Sequence, residues 1–504
     1  MSSTTNGNAI ISKLAPLRAH SGSRRTVGLD DALLAAFAGD ADLVEAVDAA
    51  IVEYARIKDE FADLLDLDED AQAHAVQAGF INFYQDDAVN PYVALTARGP
   101  WIITLKGAVL HDSGGYGMLG FGHAPAKVLE AMAKPQALAN IMTPNLSQLR
   151  LSTMLREAIG LDRDCPYTHF MCLNSGSESV TLAARIADAN AKVMTDEGGK
   201  HAGRTTIKRV VVKGGFHGRT DRPALYSNSS RKSYEQHLAS YRGENSVIVI
   251  EPYDLDALKQ AFADADANGW FIEAMFLEPV MGEGDPGRSV PVDFYNAARA
   301  LTKAHGSMLL VDSIQAGLRA NGVLSIIDYP GFEGVEAPDM ETYSKALNAG
   351  QYPLSVLAVN ARAAQSYKKG LYGNTMTTNP RALDTACAVL EMVTPQVREN
   401  IRARGAEAIQ KLEALKAELG GMITKVQGTG LLFSCELSAD FKCFGTDSTE
   451  EWLREHGVGV IHGGANSLRF TPTFTVTSAE IDLLVGMVGR ALRDGPRAST
   501  TAAA

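Results

Sequence analysis

Four short apolar runs constrain this chain more than any other feature: RVVVKGG at 209–215, SVIVIEP at 246–252, AMFLEPV at 274–280 and SMLLVDS at 307–313. Each is followed by a longer amphipathic stretch. A run that is apolar at consecutive positions fits a strand buried on both faces. Strands spaced by helix-length segments fit a parallel sheet with helices on each side. The pattern predicts an α/β body around a largely buried sheet. With 504 residues, 46% of them hydrophobic, the chain can supply one large core or two to three joined domains.

The flanking segments read differently. Residues 1–30 look loosely ordered. From 28 to 67 the pattern is helical, with Leu43, Val47, Ile51 and Tyr54 on one stripe. The acidic run DLLDLDEDAQ at 63–72 reads as a solvated turn or helix start, because it lacks the ligand spacing and central Gly of a calcium loop. WIITLKGAVLHDSGG at 101–115 predicts one or two strands and a tight turn. Helices are predicted from near Pro125, after Pro144 and over 380–418. The last part predicts strands at 430–437, 457–461 and 467–471, then a helix over 478–493. The expected division is an N-terminal extension and helical arm over 1–100, a large domain over 101–385, a small α+β domain over 386–495 and a disordered Ala/Ser/Thr-rich tail over 496–504.

Charge and cysteine content narrow the function. A formal net charge of -12 argues against a nucleic-acid or anionic-membrane partner. The five cysteines form no CxxC pair and no metal-type cluster with histidine. The start of the chain lacks a secretory pattern, and there is no apolar run of about 18 residues. A cytoplasmic protein is expected. Lys13, Arg18, Arg24 and Arg25 keep an organelle-targeting reading open.

Several motifs carry chemistry when taken in order. In MCLNSGSES, Asn174 to Gly176 form a turn and Ser177 opens a helix, where free N–H groups and a hydroxyl suit a phosphate. Phe216 and His217 follow the RVVV strand. A flat Phe can cover a heteroaromatic ring, and the histidine can orient its neighbours. Asp312 closes the strand that starts at Met308, where a buried carboxylate needs a cationic partner such as a protonated pyridine nitrogen. Lys345 lies 33 residues further on, a separation that allows a crossover to another strand end. Its amine could join an aldehyde and later act as a base. Thr375, in a hydroxyl-rich loop, is a further phosphate ligand, and Arg469 is suited to clamp a carboxylate. Singly, these readings are a helix cap, a core Phe, a turn Asp, a surface Lys and a structural Arg.

Taken together, NSGSES, GGFHGRT, FLEPV, LLVDSIQAG, YSKAL, TMTTNP and SLRFTP, in that order, resemble the class III aminotransferases. These form a pyridoxal 5'-phosphate (PLP)-dependent family of fold type I. The resemblance spans roughly 100–495. It implies a large domain with a mostly parallel seven-stranded sheet plus a smaller α+β domain. It also implies a homodimer with the active site at the interface. It implies that Gly176 and Ser177 bind phosphate, that Phe216 stacks on the ring with His217 beside it, and that Glu278 organises the substrate side. Asp312 would face the pyridine nitrogen, Gln315 the ring hydroxyl, and Lys345 would be the Schiff-base lysine. Thr375 would reach a phosphate across the dimer, and Arg469 would receive the substrate carboxylate. Two departures stand out. Ser313 and Ile314 replace the family's Glu-Val between Asp312 and Gln315, and Thr-Met-Thr-Thr precedes Asn379 where Thr-Phe-Gly-Gly is common.

The reaction implied is transamination from an amino acid, with a distal or beta amine among the options, to a 2-oxo acid such as 2-oxoglutarate or pyruvate. An aminomutase would use the same residues, and a decarboxylase or racemase is a lesser alternative. An inactive assembly or regulatory protein on the same fold is the reading from a different class. No GxGxxG follows an early strand, so a Rossmann dehydrogenase is a poor fit.

Overall fold

Strand β8 (Met308–Asp312) shows why the central sheet forms where it does. Its five residues are all buried, so both faces must be covered. It lies in a seven-stranded sheet with β4 (His169–Leu173), β5 (Thr206–Val212), β6 (Val247–Ile250), β7 (Trp270–Leu277), β9 (Met340–Tyr343) and β10 (Ser355–Val359). The spatial order is β4-β10-β9-β8-β7-β5-β6. The β6, β5, β7, β8 and β9 strands pair in parallel, while β10 is antiparallel to both β9 and β4. This is the expected mostly parallel sheet, seen in a computed structural model that describes residues 2–114, 116–138 and 142–498.

Helices cover the sheet. The one over Gly176–Thr195 turns Val180, Ala183, Ala184, Ala187 and Ala191 inward, spaced for one helical face. It packs with Val211, Ala274, Phe276 and Leu310. Each such large apolar side chain contributes roughly 1.5–3 kcal/mol when fully buried.

Two smaller sheets flank this body. The first has the order β1-β2-β3-β13, from β1 (Ala94–Arg98), β2 (Trp101–Thr104), β3 (Val109–Asp112) and β13 (Val458–Gly459). The β1–β2 hairpin runs across position 100, and β13 pairs in parallel with β3, so early and late parts of the chain share one sheet. The second is antiparallel, with the order β11-β12-β15-β14, from β11 (Ile423–Thr429), β12 (Leu432–Leu437), β14 (Ile461–Gly463) and β15 (Ser467–Phe470). The helix over Ser478–Asp494 closes the chain, capped by Thr477 and Glu480.

Two N-terminal expectations change. Residues 2–18 form a helix, with Ile10, Leu14 and Leu17 buried. The acidic run is only partly solvated: Glu69 is 1% exposed, and its Oε2 accepts the N–H groups of Arg25 and Thr26 at 2.8 and 2.6 Å. A buried carboxylate anchors the extended chain there rather than facing water. Residue 115, in the predicted tight turn, and 499–504, in the predicted tail, lie outside the described residues. Within the tail, Ala498 N–H donates to Asp440 O at 2.8 Å. Among the described residues all five cysteines are free, no helix is long and apolar enough to cross a membrane, and no acidic, His and Cys group is placed to hold a metal.

Candidate active site

The C-terminal ends of parallel strands are where α/β sheets place ligands, because the loops there diverge around a crevice. The turn after β4 carries Gly176 and Ser177, and the loop after β5 carries Phe216 and His217. Glu278 directly follows β7, Asp312 ends β8, and Lys345 follows β9 by two residues. Gly176, Ser177, Phe216, His217, Glu278, Asp312, Gln315 and Lys345 together line one cavity of about 390 Å³.

The helix start is capped and leaves backbone donors unused. Ser175 caps the helix and accepts the Glu178 N–H, while the Glu178 carboxylate accepts the N–H groups of Asn174 and Ser175 at 2.8 and 3.1 Å. The N–H groups of Gly176 and Ser177 have no protein acceptor among the described residues. The turn is tight on its far side. A Cβ at Gly176 would lie 2.5 Å from Ile314 Cδ1, and one at Gly218, whose φ is +107°, would lie 2.5 Å from Ser177 Oγ.

At the floor, His217 Nδ1 is 2.9 Å from Asp312 Oδ2, and Ile314 N–H donates to Asp312 Oδ1 at 3.2 Å. The His217 backbone N–H donates to Ser227 Oγ at 2.9 Å, which fixes the loop. His217 Nε2 and Gln315 Nε2 are buried without protein partners. Ser313 leaves no gap beside Asp312: its hydroxyl donates to Glu341 Oε1 at 2.6 Å. Tyr167 and Ser325 donate to the other oxygen of that buried carboxylate.

Lys345 Nζ donates to Gln315 Oε1 at 3.2 Å. Its backbone has φ +45°, a left-handed conformation that costs a non-glycine residue roughly 1–3 kcal/mol. The turn is held by Ser344 and Asn348, which donate to Leu354 O at 2.7 and 2.8 Å. Burial, with the Arg469 charge adding to it, pushes the Lys345 amine down to about 8, while Glu283, Asp312 and Glu278 oppose that shift. Burial pushes the Glu278 carboxyl up to about 7. His217 opposes the shift and Asp312 adds to it. Glu278 accepts N–H groups from Gly282 and Phe216 at 3.1 and 3.3 Å.

Arg469 and Thr375 do not line this cavity. Arg469 is buried on β15, donates to Gly282 O and lines a neighbouring cavity of about 250 Å³ with Arg219, Glu283, His462, Tyr84 and Tyr116. It still faces the lysine electrostatically. Thr375 is exposed, in a loop tied to the helix cap by Asn374, whose Nδ2 donates to Glu178 Oε1 at 3.0 Å. Arg219 was not singled out from sequence, although it lies three residues after Phe216 in GGFHGRT. Nothing in residue spacing pointed to Tyr84, Tyr116 or His462.

A family model described as Aminotransferase class-III matches residues 83–492. The acetylornithine aminotransferase of Xanthomonas axonopodis pv. citri (strain 306) is 28% identical over 372 residues, covering 73% of this chain and 85% of that protein. The succinylornithine transaminase of Citrobacter koseri is 29% identical over 399 residues, covering 78% and 90%. Among solved structures, the ornithine aminotransferase of Toxoplasma gondii ME49 superposes with a TM-score of 0.72 at 22% identity, covering 86% of this chain and 97% of that one. A transaminase from the marine bacterium Virgibacillus gives 0.70 at 18%, covering 84% and 98%. The match spans most of the chain, the seven-stranded sheet follows the same architecture, and the chain therefore belongs to the class III PLP-dependent aminotransferases of fold type I.

Proposed function

We propose that this protein binds PLP through Lys345 and transfers an amino group from an amino acid, with a distal or beta amine among its donors, to a 2-oxo acid such as 2-oxoglutarate or pyruvate. The observation that carries this reading is the meeting of Lys345, Gln315, Asp312 and His217 in one cavity at the strand ends. The donor class is supported by the names of its relatives, which act on acetylornithine, succinylornithine and ornithine.

The residues fit the cofactor on three counts. Two backbone N–H groups at a helix start await an anion, two buried side-chain nitrogens await partners, and Gly176 and Gly218 let the turn close where a Cβ would strike Ile314 or Ser177. Gly176 and Ser177 would hold the phosphate, Phe216 would cover a ring face, Asp312 would keep the ring nitrogen protonated and Gln315 would meet the ring hydroxyl. PLP, when bound, supplies an aldehyde carbon for amine capture and an electron-withdrawing ring.

The protein's own groups do the rest. His217 and the Ile314 N–H hold the Asp312 carboxylate in place. Lys345, with its proton affinity lowered, supplies a neutral amine near pH 8 that can take a proton from the substrate carbon and return it elsewhere. Glu278, whose carboxyl is held up near 7, limits negative charge beside Asp312. Arg469 and Arg219 would orient substrate carboxylates. Thr375, exposed and off its own cavity, suits a phosphate contact in a second copy of a homodimer.

The test is a panel of amino donors and 2-oxo acid acceptors read by mass spectrometry. Labelled nitrogen appearing in an added acceptor supports the reading. Nitrogen that moves only within the donor, or does not move for any pair, refutes it.

A further inference from the structure

Arg319 is fully buried in the turn that leads away from β8, and no carboxylate pairs with it among the described residues. A buried charge is expensive unless something replaces its water. Here three backbone carbonyls do so, from three separate parts of the chain. Arg319 Nη2 donates to Gly117 O at 3.3 Å, and Nη1 donates to Leu431 O at 3.4 Å and to Pro472 O. Gly117 lies beyond β3, Leu431 joins β11 to β12, and Pro472 follows β15. The Phe474 ring centre is 5.1 Å from the guanidinium carbon, and the Phe474 N–H donates to Gly120 O at 2.6 Å. Burial alone pushes the guanidinium down to about 9, with no acidic group opposing it.

The same turn carries Gln315. Gly317 N–H donates to Ser313 O at 2.8 Å and Ala320 N–H to Ala316 O at 2.9 Å, a helical spacing that puts residues four apart on one face. Gln315 and Arg319 accordingly meet the same loop. A Cβ at Gly117 would lie 3.5 Å from Gln315 Cγ and 3.4 Å from Arg319 Nε. Met118, next in that loop, lines the larger cavity. On its other side Gln315 is bounded by Gly282, where a Cβ would strike Gln315 Oε1. That oxygen is the one that accepts the Lys345 amine at 3.2 Å.

A carboxylate partner would satisfy Arg319 in a single place. A cage of carbonyls from three segments satisfies it only while all three keep their positions, so the side chain makes the placement of each depend on the others. We propose that Arg319 is a positioning residue whose guanidinium pins the Gly117 loop and the C-terminal sheet to the turn after β8, and so holds Gln315 against Lys345. This rests on the reading of Lys345 as the amine that captures the cofactor; the cage itself does not depend on it.

Arg319→Ala leaves a space the shape of the lost head group, so methylguanidinium is the probe of the cage. Titrated calorimetrically into the full-length variant, it should bind at millimolar concentration, and the parent, whose cage is filled, should not bind it. Positioning is read as the initial rate at which PLP added to the cofactor-stripped, full-length protein forms a borohydride-trapped adduct on Lys345. That rate should fall about tenfold in Arg319→Ala, the order of one lost hydrogen bond, and return to within about threefold of the parent with methylguanidinium present. Gln315→Ala should fall about as far, and the double variant no more than about twofold further, because both changes break one chain of contacts. Arg319→Lys keeps the charge but not the planar fork, and serves if the alanine form does not fold; it should lose at least about threefold. A merely structural role would lower the melting temperature, leave the rate below it unchanged and make the losses add. A folded alanine variant that ignores methylguanidinium, losses that add, or a lysine variant as fast as the parent would each overturn the inference. Normal trapping by the parent and by every variant sinks this inference alone. A parent that forms no adduct on Lys345 sinks the functional reading and the positioning role with it, while methylguanidinium binding leaves the cage standing.

Discussion

His217 Nδ1 lies 2.9 Å from Asp312 Oδ2, and both side chains are buried. A histidine that donates through Nδ1 leaves Nε2 as an acceptor and pins the carboxylate, whose second oxygen takes the Ile314 N–H. The pair turns an expensive buried charge into an oriented one. Asp312→Asn should lower kcat/KM for transamination at least about 100-fold, the loss typical of a removed preorganised charge. His217→Ala should give a smaller loss, since the Ile314 N–H remains. Steady-state kinetics on both variants checks the order, and a near-normal Asn variant would remove Asp312 from the chemistry.

The Lys345 amine is held down to about 8 from 10.5, mainly by burial. In the folded protein it loses its proton as pH rises through about 8, whereas the unfolded chain does so near 10.5. The penalty for a charged buried amine is therefore full below 8 and fades as pH rises toward 10.5. Lys345→Met should raise the melting temperature of the cofactor-free protein more at pH 7 than at pH 10. Capture of an added aldehyde by the cofactor-free protein should show a midpoint near pH 8. A midpoint at 10 or above would contradict the burial argument.

Glu278 works in the opposite sense. Its carboxyl is raised from 4.5 to about 7, so between those values the unfolded chain has lost the proton while the folded chain keeps it. Stability from this group falls as pH rises through that window. Glu278→Gln removes the charge and keeps one amide oxygen, which can accept only one of the Gly282 and Phe216 N–H groups that now bond different carboxylate oxygens. Losing the other bond is a pH-independent offset, so the melting temperature of the variant relative to the parent should rise between pH 5 and pH 8. Scanning calorimetry at both values decides it, and a gap that does not change with pH counts against the assignment.

Gly218 sits where a side chain is excluded twice, by its φ of +107° and by Ser177 Oγ. Gly218→Ala should cost about 1–3 kcal/mol in urea unfolding and weaken PLP retention. Gly373, with open space around it, is the control and should change stability by less than about 0.5 kcal/mol on the same substitution.

Strands β5 to β8 were legible because their positions are apolar in succession. Strand β9 reads Met-Glu-Thr-Tyr and hides its burial, since Glu341 is satisfied by three side-chain hydroxyls that only the fold brings near. The helix over Ser2–Arg18 was obscured by Gly7 and Pro16, both poor helix formers, although Ile10, Leu14 and Leu17 keep a helical spacing. In the site, residues at strand ends were readable because strand and turn are local. Arg469 was read as a carboxylate clamp, but its placement in the adjacent cavity depends on β15 packing across the strand–turn after β7, a contact between residues 187 apart in the chain.

The central claim is a covalent carbon–nitrogen link between PLP and Lys345. Borohydride reduction of the PLP-saturated, folded protein, followed by digestion and peptide mass mapping, tests it most directly. The account predicts one stable pyridoxyl adduct on Lys345, absent from Lys345→Ala. An unmodified Lys345, or the adduct on another lysine, would contradict it.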